Sequence, residues 1–234
     1  MKIALMGYGA MGRLAAEQAR EEGHEIGRVC TSKDSGLNTA ELAAQLHGHD
    51  VAIDFSVAQS VVKNVLASLE ANVPIVVGTT GWKADEARVR ESVARNGGGL
   101  VFGANFSIGV NLFYRIVANA AMLVSKVSDY DPFIEEAHHK RKKDAPSGTA
   151  LRLQEILATG LTREIPISST RAGYIPGTHR VGFDSVADQI LLTHTARSRE
   201  GFAAGALVAA RWIIGRRGVF EFTDVLDEMV KGQI

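Results

Sequence analysis

Residues 3–6, Ile-Ala-Leu-Met, run straight into Gly7-Tyr8-Gly9-Ala10-Met11-Gly12. The short apolar run suits a strand buried on both faces of a parallel sheet. Glycines at this spacing permit a tight turn, close approach of backbone to a pyrophosphate, and close packing of the next helix on the strand. That helix is expected over 13–22, stopped by Gly23. A glycine-rich turn can also exist without a ligand. Its place between a strand and a helix favours a dinucleotide site here, with residues 7–12 as the contacts.

Strand and helix patterns keep alternating through the first half of the chain. Strands are expected over 26–30, 51–55, 74–77 and 100–102, and helices over 60–70 and 85–95. This alternation predicts an α/β fold, a parallel sheet with helices on both faces. Ligands on such sheets bind beyond the carboxyl ends of the strands. Two loops fall at such ends: Gly78-Thr79-Thr80 and Gly103-Ala104-Asn105-Phe106. Both are read as cofactor contacts, although a plain strand-to-helix turn has the same composition. An acidic residue that holds the adenosine ribose of NAD is expected roughly 20 residues after the glycines. The second strand ends instead in Cys30-Thr31-Ser32-Lys33, which suits a 2′-phosphate better, and Asp34 falls late for the ribose.

The second half opens with a long helical pattern over 107–128, where the domain crossing is placed. A strand over 133–138 then leads into His138-His139-Lys140-Arg141-Lys142-Lys143-Asp144-Ala145-Pro146-Ser147-Gly148-Thr149-Ala150. Adjacent histidines on an extended strand point to opposite faces, which argues against a shared metal, and none is assigned. Ser-Gly-Thr before an apolar pattern at helical spacing should open a helix, expected to end near Gly160. A helix start is an anion site, because its free N–H groups point outward and carry partial positive charge. Proton-transfer side chains, cations and an anion cradle thus share one short segment, a combination suited to acid–base chemistry on a small carboxylated molecule. A structural His-His pair and a solvated basic loop are the plainer readings. Strands over 165–174 and 189–198 and a helix over 203–214 follow. Residues 216–234 read as a segment returning to the first domain.

Composition narrows the function. Lys plus Arg number 26 and Asp plus Glu number 26, so only the 140–143 run suggests a polyanion, and no nucleic-acid partner is expected. Hydrophobic residues make up 46 %, enough for a buried core. No apolar run approaches the roughly 20 residues of a membrane helix, and the start of the chain does not read as a signal peptide. The single cysteine, Cys30, excludes a disulfide within the chain and fits the cytoplasm. It is expected to be a small buried residue. Trp212 is expected in the core.

The motifs together resemble the 4-hydroxy-tetrahydrodipicolinate reductases, also called dihydrodipicolinate reductases, of lysine and diaminopimelate synthesis. Glu136-Ala137-His138-His139-x-x-Lys142-x-Asp144-Ala145-Pro146-Ser147-Gly148-Thr149-Ala150 carries the resemblance, with 78–81 and 104–111 as further matching stretches. The likeness extends over nearly the whole chain. It implies a Rossmann-type nicotinamide domain, 1–107 completed by 216–234, and an α+β substrate and oligomerisation domain, 108–215. It implies His138 as general acid/base, Lys142 as proton donor, His139 as a substrate contact, and Gly148 and Thr149 as the carboxylate cradle. NADPH or NADH would be the cofactor, a small dicarboxylate the substrate, and a homotetramer the assembly. The chain departs from enterobacterial members in a glycine loop one residue shorter, in the residues at Thr31, and in a shorter segment before Arg171. Two other functions share the fold: a different Rossmann dehydrogenase, and a non-catalytic module that senses nicotinamide.

Overall fold

The computed structural model describes residues 1–127, 129–161 and 163–232. The chain forms two compact units, Met1–Ile108 with Arg199–Ile234, and Gly109–Ser198. In chain order the first unit supplies β1 (Lys2–Met6), α1 (Ala10–Glu21), β2 (Glu25–Cys30), α2 (Thr39–Leu46), β3 (Val51–Asp54), α3 (Ala58–Glu70), β4 (Ile75–Val77), α4 (Glu86–Asn96) and β5 (Gly99–Phe102). The second supplies α5 (Ile108–Val124), β6 (Asp131–His138), α6 (Gly148–Gly160), β7 (Ile167–Arg171), β8 (Thr178–Asp184) and β9 (Gln189–Thr195). The chain then returns with α7 (Glu200–Ile213), β10 (Gly218–Glu221) and α8 (Phe222–Val230).

The first sheet has the order β10-β5-β4-β3-β1-β2, parallel throughout. Ile3, Leu5, Ile53, Val76 and Val101 pack toward one face, while Ala4, Met6, Ala52, Ile75 and Leu100 pack toward the other. Strands buried on both faces have no polar side, which is why they read as unbroken apolar runs. Cys30 and Trp212 are buried, as their neighbours in the sequence suggested. Strand order reverses at β1, so β1 and β3 flank the point where such sheets take ligands.

The expected elements of this unit are present, with one addition. Helix α2 starts on a reciprocal cap: Asn38 Oδ1 accepts from Glu41 N (3.0 Å), and Glu41 Oε2 accepts from Asn38 N (2.9 Å). The return to the first unit comes at Arg199, earlier than the expected 216, so α7 belongs here and not with the second domain. Its sequence explains this. Ala203, Gly205, Ala206, Leu207, Ala209, Ala210, Trp212 and Ile213 are all buried, too much apolar surface for a peripheral helix.

The second unit holds a four-stranded sheet in the order β7-β6-β8-β9, with β6 and β7 parallel and the other pairs antiparallel. Ile134, Val181 and Phe183 on its inner face pack with Phe113 and Val117 of α5 and with Leu153 and Leu157 of α6. Burial of each such large side chain is worth about 1.5–3 kcal/mol. Strand β8 was not expected, because its inward row carries only two large apolar side chains, Val181 and Phe183, beside a histidine. Ser128, the expected end of the helix over 107–128, and residues 233 and 234 of the return segment lie outside the described residues.

Small residues set how closely α7 can approach. A Cβ at Gly205 would lie 1.8 Å from the Phe106 carbonyl oxygen and 3.0 Å from the Phe222 ring. Backbone cannot yield as a flexible side chain can, so Gly205→Ala is expected to cost about 1–3 kcal/mol. Urea unfolding should show a lower midpoint with an unchanged slope.

Candidate active site

In the first unit the glycine turn is shaped for a phosphate group. Gly7 has φ of +96°, and a Cβ on it would lie 2.5 Å from the Phe55 carbonyl oxygen. A Cβ on Gly12 would lie 2.1 Å from the Gly7 carbonyl oxygen, so α1 packs on β1 at backbone distance. Gly9 is different: nothing lies within 4 Å of its Cβ position. It is the N-cap of α1 and provides no side-chain cap. The first N–H groups of α1 therefore open onto free space, as a dinucleotide pyrophosphate requires. Exposed Ala10 and half-buried Tyr8 and Met11 border this turn. Arg13 lies over the Tyr8 ring, 5.3 Å from its centroid.

The loops after β4 and β5 surround the same strand ends, but not all their side chains face outward. The Thr79 hydroxyl donates to the buried Asp54 carboxylate (2.7 Å), which also accepts from Ser56 N (2.8 Å) and Asn64 Nδ2 (2.8 Å). Burial pushes the Asp54 carboxyl upward against these hydrogen bonds. Thr80, Ala104 and the backbone of Gly78 and Gly103 are accessible. Phe106 is not: its ring packs on Phe222 at 4.7 Å, inside the core. Asn105 Oδ1 accepts from Ser107 N (2.8 Å).

After β2, Thr31, Ser32 and Lys33 are exposed, and Asp34 folds back toward them. Its carboxylate accepts from Thr31 N (2.7 Å) and from the Thr31 hydroxyl (3.2 Å), and pairs with Arg28. The hydrogen bond from Thr31 N is the first cause that holds the Asp34 carboxyl below its ordinary range, and Arg28 adds to it. The Thr31 hydroxyl also accepts from Lys33 N (3.2 Å), leaving Ser32 and Lys33 as the free side chains of this turn.

In the second unit the sheet register builds the site. Glu136 lies opposite His179, which lies opposite His194, and Ser169 is the partner of Glu136 on β7. His138 is paired with Arg171 in the same way. Strand periodicity places Ile134, Glu136 and His138 on the inner face. His139 follows the end of the strand and is half-buried. The two histidines therefore have separate surroundings, as expected from their adjacency. Lys142 N donates to His139 O (3.1 Å) in the turn that follows, and Lys142 Nζ pairs with Asp144 (2.8 Å).

Glu136 is 2 % exposed. Its Oε1 accepts from Arg171 Nη2 (2.6 Å) and Ser147 N (3.3 Å), and its Oε2 is hydrogen-bonded to His138 Nδ1. Arg171 Nη2 also donates to Asp144 O (2.6 Å), tying the basic loop to the sheet. Ser147 caps α6 by accepting from Ala150 N (3.2 Å), and its hydroxyl contacts His179 Nε2 (3.1 Å). That cap leaves the amides of Gly148 and Thr149 without an acceptor among the described residues, and nothing lies within 4 Å of a Cβ on Gly148. Thr149 is hydrogen-bonded to Tyr114. The helix start is thus an open cradle beside His179 and the Glu136–His138 pair.

Charge follows from this packing. Burial alone would raise the Glu136 carboxyl, but hydrogen bonds from Arg171 and Ser169 and the nearby positive charges bring it down to about 2. Burial lowers His138, and Glu136 partly offsets that. Burial also lowers His179, to about 4, with His138 adding to the effect. Among the described residues, Glu136, His138 and His179 lie close enough to share a cation, yet both carboxylate oxygens already have partners in Arg171 and His138. Sequence reading missed Arg171 and His179 as members of the site. It quoted Glu136 only as part of a motif, although Glu136 and His138 two apart on one strand signal a shared face.

A Rossmann-type sheet with an open phosphate turn, and a second unit with an anion cradle beside buried histidines, define a two-part nicotinamide-dependent oxidoreductase. Family models described as "Dihydrodipicolinate reductase, N-terminus" and "Dihydrodipicolinate reductase, C-terminus" match residues 1–106 and 109–226. The chain is 39 % identical to the 4-hydroxy-tetrahydrodipicolinate reductase of Christiangramia forsetii, over 99 % of this chain and 100 % of that protein. It is 36 % identical to the corresponding reductase of Chromobacterium violaceum, over 87 % of this chain and 83 % of that one. Its fold matches the dipicolinate-bound dihydrodipicolinate reductase from Paenisporosarcina sp. TG-14, with TM-score 0.79, 24 % identity, and coverage of 94 % of this chain and 97 % of that one. The chain belongs to the dihydrodipicolinate reductase family.

Proposed function

We propose that this chain reduces 4-hydroxy-tetrahydrodipicolinate, by way of dihydrodipicolinate, to tetrahydrodipicolinate in lysine and diaminopimelate synthesis. The observation that carries this reading is the start of α6, where Ser147 caps only the Ala150 amide and leaves those of Gly148 and Thr149 open, next to the Glu136–His138 pair. Those amides take one substrate carboxylate, aided by the Thr149 hydroxyl. His139 contacts the substrate. Bound nicotinamide supplies the hydride, and residues 7–12, 78–80 and 103–106 hold the cofactor, chiefly through backbone. Hydride addition to a conjugated imine leaves an electron-rich centre that must gain a proton. The His138 ring and the Lys142 ammonium are the groups placed to give it.

An assay with freshly generated substrate, following loss of reduced-nicotinamide absorbance, tests this directly. His138→Gln and Lys142→Met should each lower kcat by roughly 10²-fold or more with an unchanged melting temperature. Wild-type turnover in either variant removes that residue from the proton path.

For the cofactor, NADPH serves at least as well as NADH. Lys33 and Ser32 are free to meet a 2′-phosphate, and the nearest carboxylate, Asp34, is matched by Arg28 and the Thr31 N–H. Lys33→Glu should raise KM for NADPH, with kcat little altered. An exposed pair is worth about 1 kcal/mol or less, so the change should be within about five-fold. A wild-type enzyme that clearly favours NADH contradicts this assignment.

The enzyme assembles as a homotetramer through the outer face of the second sheet, where Leu191 is exposed and Glu135 pairs with Arg180 (3.4 Å). Light scattering at micromolar concentration should give four times the chain mass, and a monomer mass sinks the proposal. No helix among the described residues is long and apolar enough to cross a membrane. The lone, buried Cys30 fits a cytoplasmic enzyme.

A further inference from the structure

We propose that Glu136 is the positioning residue of the proton-transfer site: it holds the Nδ1–H of His138, so that Nε2 is the nitrogen that exchanges a proton with substrate, and Arg171 keeps Glu136 in place as a carboxylate. This rests on the reading above that His138 transfers the proton.

The geometry separates the two ring nitrogens. Nδ1 is hydrogen-bonded to Glu136 Oε2 within the sheet. An ionised carboxylate only accepts, so the nitrogen it faces must carry the hydrogen. Nε2 has no hydrogen-bond partner among the described residues. A Cβ on Gly177 would lie 3.1 Å from Nε2. A glycine there contributes no side chain, and the approach to Nε2 stays open. Glu136 has little freedom to release its partner. Arg171 and Ser147 N hold Oε1, which aims Oε2 at the ring. The side chain is also confined on its own row, between Ser169 on one strand and His179 on the other.

Four groups face the His138 ring: Glu136 from its own strand, Lys142 from the following turn, Arg171 from β7 and His179 from β8. His179 sits edge-on with ring centroids 5.0 Å apart, and burial keeps it neutral. Of these four, Lys142 and Arg171 disfavour the imidazolium and Glu136 favours it. Removing that carboxylate therefore has two effects on a proton donor. The ring loses its fixed tautomer, and its charged form becomes harder to populate.

The test is the pH dependence of kcat for Glu136→Gln, Glu136→Asp and the double variant Glu136→Gln/Arg171→Met. The double variant is included because Glu136→Gln alone leaves a largely buried guanidinium unpaired and can unfold the second unit. Turnover should fall roughly 10²-fold or more in the folded glutamine variants. In Glu136→Gln its alkaline limb should move to lower pH by about one unit or more, because an acidic neighbour is lost; in the double variant the opposing charge of Arg171 is lost too, and the shift should be smaller. KM for substrate should change little. Glu136→Asp should recover part of the loss, since the carboxylate is kept. A limb that stays at its wild-type pH in folded Glu136→Gln overturns the proposal, as does one that tracks Lys142→Met and not His138→Gln. ¹⁵N spectra of histidine-labelled wild-type enzyme, assigned by the peak lost in His138→Gln, decide the matter even if every Glu136 variant misfolds. Neutral His138 should carry its hydrogen on Nδ1, and a hydrogen on Nε2 overturns the proposal. Near-normal turnover in His138→Gln would instead reject the underlying assignment of the proton path.

Discussion

A carboxylate taken into a protein interior must recover every hydrogen bond it gave up to water, and each unit of this chain is organised around one that does. In the first, Asp54 at the end of β3 gathers the Ser56 amide, the Asn64 side chain and the Thr79 hydroxyl. It thereby sets the start of α3 and the loop after β4 against one another. In the second, Glu136 gathers Arg171, Ser147 N and His138. Through them it fixes the end of β7, the cap of α6 and the orientation of an imidazole. The ligand-facing loops are irregular, yet their roots are held by these two buried carboxyl groups. Removing either would leave several donors unmatched at once.

The two helix starts differ in how many amides they leave open. Helix α1 begins on Gly9 with no side-chain cap, so its whole first turn is available to a large, doubly charged group. Helix α6 begins on Ser147, which satisfies the Ala150 amide and leaves only the two preceding amides. That is the right number for one carboxylate. The distinction comes from a single residue type: a glycine surrenders the capping role to the ligand, and a serine shares it.

Much of this was legible in sequence because it is local. The buried parallel strands announce themselves as apolar runs, the glycine turn by spacing, and the start of α6 by Ser147-Gly148-Thr149. What was hidden is non-local or depends on burial. Arg171 meets Glu136 across a separation of 35 residues, and nothing near either one advertises the pairing. His179 joins the row only through the β6–β8 register, in a strand whose inward row has only two large apolar side chains. Phe106 and Thr79 belong to loops rightly placed at strand ends, but their side chains turn inward to Phe222 and Asp54. Helix α7 was placed with the wrong unit because an apolar helix does not say which sheet it covers. Asp34 falls late in the sequence for the ribose, and a short turn brings its carboxylate back to Thr31.

The neutral His179 at the centre of the inner row also bears on how the fold responds to acid. In the folded chain it accepts a proton only near pH 4, whereas in an unfolded chain it would do so near 6.5. Over the interval between those values the unfolded state binds more protons, so stability present above pH 6.5 drains away as the pH falls toward 4. His138, also lowered by burial, pulls in the same direction. Acidification would protonate His138 while loosening the sheet that holds it. The same burial that makes His138 selective about its proton therefore sets a lower bound on the acidity this second unit tolerates.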